Sequence, residues 1–291
     1  MPVIGLRPIH VFGTNFMARY PALFMRIHKT AGEALVKQIC DRLPADAVCP
    51  EEFEWQVRGL AAADLRRFSF FQGHISPASL SAVFMPLRVF TMLRSPRERL
   101  LSCFFYWKEG SKHARTKFFD ALASMSLLDF LSSDDPLIRR VTWNVQARLL
   151  AGGQFGGVDE QRQAVFGPWL PEADLAETAI RALDRLAFVG TAERYELTLR
   201  MAYELLELGD PPLPERINVT ATRPVSYNAL LAVPPINDAL SRLTAVDQVV
   251  YDEVRMRLDR METGEASPSN SDATVFSGQG ARRREPPKVA G

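Results

Sequence analysis

The segment Ala22 to Cys40, ALFMRIHKTAGEALVKQIC, limits what this chain can fold into more than any other stretch. A short apolar run, Ala22 to Ile27, stops abruptly at His28-Lys29-Thr30-Ala31-Gly32. A helical period then begins, with Leu35, Ile39 and Leu43 on one stripe and Val36 and Cys40 beside it. A short apolar run followed by a 3.6-residue period means strand, tight turn and helix. The turn sets a lysine, a threonine hydroxyl and free backbone N–H groups at a helix N-terminus, where about half a positive charge and several unpaired donors collect. Such a terminus is a ready anion site. The same pattern also describes an ordinary βα turn with a solvated lysine.

Two later stretches repeat the strand signal. FSFFQGH (68–74) reads as a buried strand ending at Gly73-His74, with Pro77 preventing its continuation, and RVFTML (88–93) as a second, passing at Arg94 directly into SPRERLLSCFFYW. There Ser95 fits a helix N-cap, Pro96 the first helical position and Glu98 the reciprocal partner of a capping box. Leu100, Leu101, Phe104 and Phe105 supply its core stripe. A polar helical piece is expected around Ala61 to Arg67, helices over 141–150, 173–186, 193–208 and about 237–260, and a short strand at AFVG (187–190). Residues 1–20, 110–136 and 214–228 lack a sustained period, although 110–136 includes short helical pieces. From Thr263 on, Ser, Gly, Pro and an arginine cluster replace large apolar residues, which predicts a disordered tail after a single domain over 1–262. Short apolar strands alternating with helices argue for an α/β fold, a parallel sheet covered on both faces. Ligands of such sheets lie beyond the carboxyl ends of the strands, where Lys29, His74 and Arg94 all fall.

Charge decides what kind of anion is plausible. With 35 Lys and Arg against 34 Asp and Glu, nothing supports generic nucleic-acid binding, and any anion site is local. Three cysteines (Cys40, Cys49, Cys103) without a CxxC pair and four histidines without an HExxH spacing point to no metal and no disulfide frame. No apolar run of about 18 residues predicts a transmembrane helix, and no signal-peptide pattern opens the chain, so a cytoplasmic protein is expected.

A nucleoside triphosphate loop needs G-x-x-x-x-G-K-S/T. Lys29-Thr30 supplies its last two residues, but His28 stands where glycine is required, and no glycine lies between Pro21 and Ala31. The strand ends at 74 and 94 offer no aspartate for Mg²⁺ either. A nucleotide with two separated anionic groups and no metal fits better.

The motifs then resemble a known family. RIHKTAGEAL is similar to the 5′-phosphosulfate loop of sulfotransferases that use 3′-phosphoadenylyl sulfate, commonly HIPKTGGTSL. TMLRSPRERLLSCFFYW resembles their 3′-phosphate motif, LRDPVERLLSxYYY, with an arginine and a serine separated by seven residues, here Arg94 and Ser102. FFQGHISP, WNVQARLLAG and the pair FVGTAERYE and RINVTATRP are similar to segments of the carbohydrate branch, the heparan and chondroitin sulfotransferases and their bacterial relatives. The resemblance spans roughly residues 20–225. The chain departs from the pattern at His28 for proline, Ala31 for the first glycine, and Glu33 and Ala34 for two hydroxyl residues.

The resemblance implies a three-layer, P-loop-NTPase-like sulfotransferase fold. It implies 3′-phosphoadenylyl sulfate as donor, 3′-phosphoadenosine 5′-phosphate as product, no metal, and a hydroxyl acceptor on a glycan or glycolipid. Carried over residue by residue, Lys29 would neutralise the leaving group and His74 would take the acceptor's proton. Thr30, Ala31, Gly32, Glu33 and Ala34 would complete the phosphosulfate loop with Lys29. Arg94 and Ser102 would hold the 3′-phosphate, and Thr220, Thr222 and Arg223 would close over the nucleotide. Blander readings remain for each: a surface Lys29, a His74 bound to loop backbone, an Arg94 paired with Glu98, a Ser102 facing a neighbouring helix, and an ordinary loop at 220–223. His28 is a second proton carrier or a spectator, and the basic loop at Lys112, Arg115 and Lys117 an acceptor contact or a solvated run. Two other functions stay open: a non-catalytic nucleotide-binding or scaffold protein, suggested by Glu33 and Ala34, and an ATP-dependent kinase.

Overall fold

The computed structural model describes residues 20–84, 86–110, 117–156, 164–214 and 226–264. In chain order it begins β1 (Ala22–Met25), α1 (Gly32–Cys40), α2 (Glu54–Gly59), α3 (Ala62–Leu65), β2 (Phe70–Gly73), α4 (Pro77–Ser81), β3 (Arg88–Leu93) and α5 (Pro96–Gly110). The helices α6 (Lys117–Ser124), α7 (Leu127–Ser132), α8 (Pro136–Thr142) and α9 (Val145–Leu150) follow, then a hairpin of β4 (Gln154–Phe155) and β5 (Val165–Phe166). The chain continues through α10 (Glu172–Leu183), β6 (Phe188–Thr191), α11 (Tyr195–Leu205), α12 (Tyr227–Leu231), α13 (Pro234–Leu243) and α14 (Ala245–Thr263).

Four of the strands form one parallel sheet in the order β2-β1-β3-β6. Parallel strands buried on both faces read as unbroken apolar runs, so the sequence shows where they lie but not which residues face which side. The structure separates them. Ala22, Phe24, Phe70, Phe90 and Met92 pack with Leu35 and Ile39 of α1 and with Leu199, Ala202 and Tyr203 of α11. Their neighbours Leu23, Met25, Phe71, Val89 and Leu93 belong to a second core with Leu149 of α9, Leu175 and Ala179 of α10, and Val250 and Val254 of α14. Helices therefore cover both faces, a three-layer α/β arrangement. On the first face Phe24, Phe90 and Phe188 are register partners whose rings stack at 5.0 and 4.9 Å. Phe24 and Phe90 are fully buried and Phe188 partly so. Each fully buried ring contributes about 2–3 kcal/mol, and the stack holds three strands in step.

Several elements differ from the sequence expectation for identifiable reasons. The helix expected over 141–150 is two, α8 and α9, because Asn144 turns left-handed at φ 42°. The long helix expected from about 237 to 260 is also two, broken at Thr244. The two breaks meet. Asn144 Oδ1 accepts from the amides of Val246 at 3.0 Å and Asp247 at 3.2 Å, while Asp247 Oδ1 accepts from the Ala147 amide at 2.7 Å. Each side chain satisfies donors that the other helix start leaves open. The capping box at α5 is also rearranged: the Ser95 amide donates to Glu193 Oε1 at 2.8 Å, and Glu98 turns to Arg94 instead. The piece at 61–67 shrinks to α3, and α2 and the β4–β5 hairpin were not anticipated. The tail lies outside the described residues apart from Thr263, the end of α14, and its left-handed cap Gly264.

At the end of β2 the backbone leaves no room. Gly73 adopts φ +140°, and a Cβ there would stand 2.1 Å from the Glu52 carbonyl oxygen. That carbonyl accepts the His74 amide at 2.7 Å, so the close approach is what anchors His74. Gly73→Ala should destabilise the protein by about 3 kcal/mol, a forced backbone shift rather than a lost contact, measured as a fall in the urea midpoint. A change under about 1 kcal/mol would show that the approach is not required.

Candidate functional site

Parallel pairing brings the carboxyl ends of β1, β2 and β3 to one edge, and the residues that follow them are the site. After β1 the chain turns through Lys29 at φ 64° and Ala31 at φ 66° before α1 starts at Gly32. Two left-handed residues at alternate positions curl a turn so that successive N–H groups face a concavity, a conformation suited to anions. Among the described residues, the amides of Lys29, Thr30 and Ala31 donate to no backbone carbonyl. Left-handed backbone costs a residue with a Cβ about 1 kcal/mol or more, so Ala31 carries strain that glycine would not.

Side chains of the loop divide by burial. Thr30 is fully buried and its hydroxyl donates to the Ile27 carbonyl at 2.9 Å, which commits its proton to the turn. Gly32 and Ala34 are buried, while Ala31 and Glu33 are exposed. Glu33 turns toward Arg26, with 3.8 Å between Oε1 and Nη2, and Arg26 also reaches Glu52 at 3.3 Å and Gln72 at 2.9 Å. Lys29 lays its ammonium over the exposed ring of Tyr106, 3.8 Å from the centroid. Burial lowers its pKa below the ordinary 10.5, and neighbouring Arg94 adds to the shift while Cys103 and Glu33 oppose it.

Arg94 follows β3 and bridges to the loop. Its Nη1 donates to the Lys29 carbonyl at 3.3 Å, and its Nη2 pairs with Glu98 at 3.0 Å. The ion pair read as an alternative is thus formed, and the same guanidinium also touches the loop. Ser102 is buried on α5, and no hydrogen bond joins it to Arg94. Thr220, Thr222 and Arg223, together with Lys112 and Arg115, lie outside the described residues, and of Lys117 only its place at the start of α6 is described.

Beyond β2, His74 and His28 stack ring on ring, 4.1 Å between centroids and 13° between planes. Phe155 stands 5.3 Å from His74 and 5.8 Å from His28, Trp107 6.3 Å from His28 and Phe53 5.9 Å from His74, so aromatic rings enclose the pair. His74 Nδ1 lies 2.9 Å from the Arg26 carbonyl and must donate to it, which leaves the lone pair on Nε2 in the neutral ring. Burial, then the Arg26 charge, drives the His74 pKa to about 3, against the opposing pull of that hydrogen bond. His28, whose Nε2 is buried without a partner, is held well below its usual range by burial and by the charges of His74, Arg99, Arg26 and Lys29.

Three contributors escaped the sequence reading. Tyr106 cradles Lys29, and Gln146 holds the backbone of Arg94 from both sides. Glu54, buried, accepts from the amides of Ser76 and Phe155 at 3.1 Å each and so seats Phe155 against the histidines. A signal existed for Gln146: Asn144, Gln146 and Arg148 interrupt an otherwise apolar segment, and all three are fully buried. Among the described residues, no three His, Cys, Asp or Glu side chains are grouped to hold a metal ion, and no helix is long and apolar enough to cross a membrane.

No family model matches this chain, and no curated protein does. Among solved structures it is similar to the mouse sulfotransferase SULT7A1 complexed with PAP, at 14% identity over 85% of this chain and 90% of that one, with a TM-score of 0.27. At that level the likeness carries no inference about the site.

The histidine pair makes stability depend on acid. The folded chain keeps His74 neutral to about pH 3, while an unfolded chain takes up that proton near 6.5. The unfolded state therefore binds more protons in between, so stability held above pH 6.5 is lost as pH falls toward 3, by up to about 1.4 kcal/mol per pH unit for each histidine. His28→Phe keeps a stacked ring but removes one titrating group, and should flatten the decline of the urea midpoint across that interval. An unchanged slope would contradict the shift assigned to His28.

Proposed function

We propose that the protein is a sulfotransferase that moves a sulfuryl group from 3′-phosphoadenylyl sulfate to a hydroxyl, on a carbohydrate acceptor, by in-line displacement. The observation that carries this reading is the Arg94 contact to the Lys29 carbonyl, which sets two cationic side chains from neighbouring strand ends around one run of unpartnered amides. The loop and motif resemblances described from the sequence support it. The donor set suits a ligand with two anionic groups: amide N–H groups and an ammonium at one place, a guanidinium fork at the other.

When bound, the donor supplies a sulfuryl group on an activated phosphate leaving group. Lys29 leaves the Tyr106 ring and offsets charge developing on the leaving oxygens, an interaction strongest in the transition state. The turn amides of Lys29 to Gly32 orient the 5′-phosphate, with Thr30 acting through the turn it braces. Arg94 and Ser102 hold the 3′-phosphate, and Thr220, Thr222 and Arg223 cover the nucleotide. His74, fixed through Nδ1, offers Nε2 to the acceptor hydroxyl as general base. A base with a pKa near 3 is weak, but anionic charge entering beside Arg26 favours the imidazolium and strengthens it.

A second reading, a non-catalytic binder of the same nucleotide, draws on Glu33, a half-exposed carboxylate in the first turn of the anion loop. Its pairing with Arg26 weakens the repulsion without abolishing it.

Calorimetric titration with 3′-phosphoadenosine 5′-phosphate, with AMP and Mg-ATP as controls, tests the site. Micromolar binding that needs the 3′-phosphate and disappears in Arg94→Ala is expected; equal affinity for AMP would refute it. With an acceptor in hand, Lys29→Ala and His74→Ala should each lower turnover about 10²- to 10⁴-fold in protein that remains folded, with a lower thermal midpoint only for the buried His74. Full activity in either variant would remove the role given to that residue, and nucleotide binding without transfer across a broad acceptor panel would favour the non-catalytic reading.

A further inference from the structure

Arg94 stands one residue past the end of β3, beyond the ladder that would pair its peptide groups. Gln146 replaces the missing neighbour. Its Oε1 accepts the Arg94 N–H at 3.0 Å and its Nε2 donates to the Arg94 carbonyl at 3.0 Å, so a single buried amide holds both backbone groups. Neither bond works with the amide reversed.

Gln146 is in turn held on both sides. Two residues before it, the Asn144 side-chain oxygen accepts from the amides of Val246 and Asp247, and the Asn144 backbone N–H donates to the Leu243 carbonyl at 2.8 Å. One residue after it, the Ala147 amide is taken by Asp247 at 2.7 Å. The start of α14 therefore fixes the start of α9, and through Gln146 the end of β3. This chain of bonds reaches the loop at the Arg94 contact to the Lys29 carbonyl.

We infer that Gln146 is the positioning residue that aims Arg94, and that preference for a ligand phosphorylated at the 3′ position depends on it, with the Asn144–Asp247 interlock keeping Gln146 in place. This rests on the reading of Arg94 as the 3′-phosphate residue. Bidentate recognition of a phosphate tolerates displacements of only about 0.5 Å and 10–20°. Arg94 already shares its guanidinium between the Lys29 carbonyl and Glu98 at 3.0 Å, so a loosened backbone shifts that balance toward Glu98 and away from a ligand.

The test is a pair of titrations, with 3′-phosphoadenosine 5′-phosphate and with AMP, on the wild-type protein and Gln146→Met, a side chain of similar length that makes neither bond. Affinity for the bisphosphate should fall about ten- to a hundredfold, the range that outer partners command at ligand sites, while AMP affinity changes less than about twofold. A structural role alone would weaken both ligands together or lower only the thermal midpoint. A wild-type protein that prefers the bisphosphate, with that preference intact in Gln146→Met, overturns the inference and leaves the reading of Arg94 standing. A wild-type protein with no preference overturns both. If Gln146→Met does not fold, Asn144→Gly serves, since it keeps the left-handed backbone and removes the two side-chain bonds from Asn144 to α14. A smaller but selective loss of bisphosphate affinity is then expected, and an unchanged preference overturns the inference.

Discussion

Everything at the site depends on β1 being paired in parallel on both sides. Because Met25 aligns with Gly73 on one neighbour and with Thr91 on the other, the segments leaving three strands emerge at one edge of the sheet. No long-range charge attraction is needed to assemble Lys29, His74 and Arg94; the ladder register does it. The stacked phenylalanines of β1, β3 and β6 make that register expensive to slip, since a one-residue shift would send each ring to the opposite face. Stability in the sheet and geometry at its edge are the same property.

The edge itself combines two electrostatic regimes. Around the β1–α1 turn, charge is partly exposed and answered in pairs, Arg26 with Glu33 and Glu52, Arg94 with Glu98. Around the histidines it is excluded. Aromatic rings and burial hold both imidazoles neutral, and two stacked rings 4.1 Å apart disfavour a second proton once one is present. The neighbouring cations disfavour the imidazolium further. Glu54 and the Gly73–Glu52 approach hold Phe155 and His74 in place.

Much of this was legible in the residues, and the boundary is physical. Strands showed because burial on both faces leaves unbroken apolar runs, and the β1–α1 turn showed because the period changes there. RVFTML matched β3 from Arg88 to Leu93. The helix breaks at Asn144 and Thr244 did not show, since both lie in segments whose local pattern favours continuous helix, and only the interlock of Asn144 with Asp247, about a hundred positions apart, makes breaking favourable. The exchange of partners at Ser95 failed in the same way: Glu98 was the nearest carboxylate in sequence, Glu193 the nearer one in space. Convergence of Lys29 and Arg94 could be expected from strand ends, but the contact between Arg94 and the Lys29 carbonyl could not.

The departures of the loop from the sulfotransferase pattern take on a different weight once the backbone is known. Replacing a glycine by Ala31 retains the left-handed turn at a cost in strain, which the surrounding structure must offset. Replacing two hydroxyl residues by Glu33 and Ala34 removes side-chain donors, yet Ala34 is buried and Glu33 leans to Arg26. Thr30 also spends its hydroxyl proton internally. Three of the loop's side-chain positions thus offer little direct donation, and under the proposed function an anion would meet mainly backbone amides, Lys29 and Arg94. Backbone donors are oriented by the chain itself and lose no rotamer freedom when a ligand arrives. Under the proposed function, a loop built this way gives up enthalpy from hydroxyl contacts and keeps preorganisation, and its affinity would hinge on how rigidly the turn and Arg94 are held.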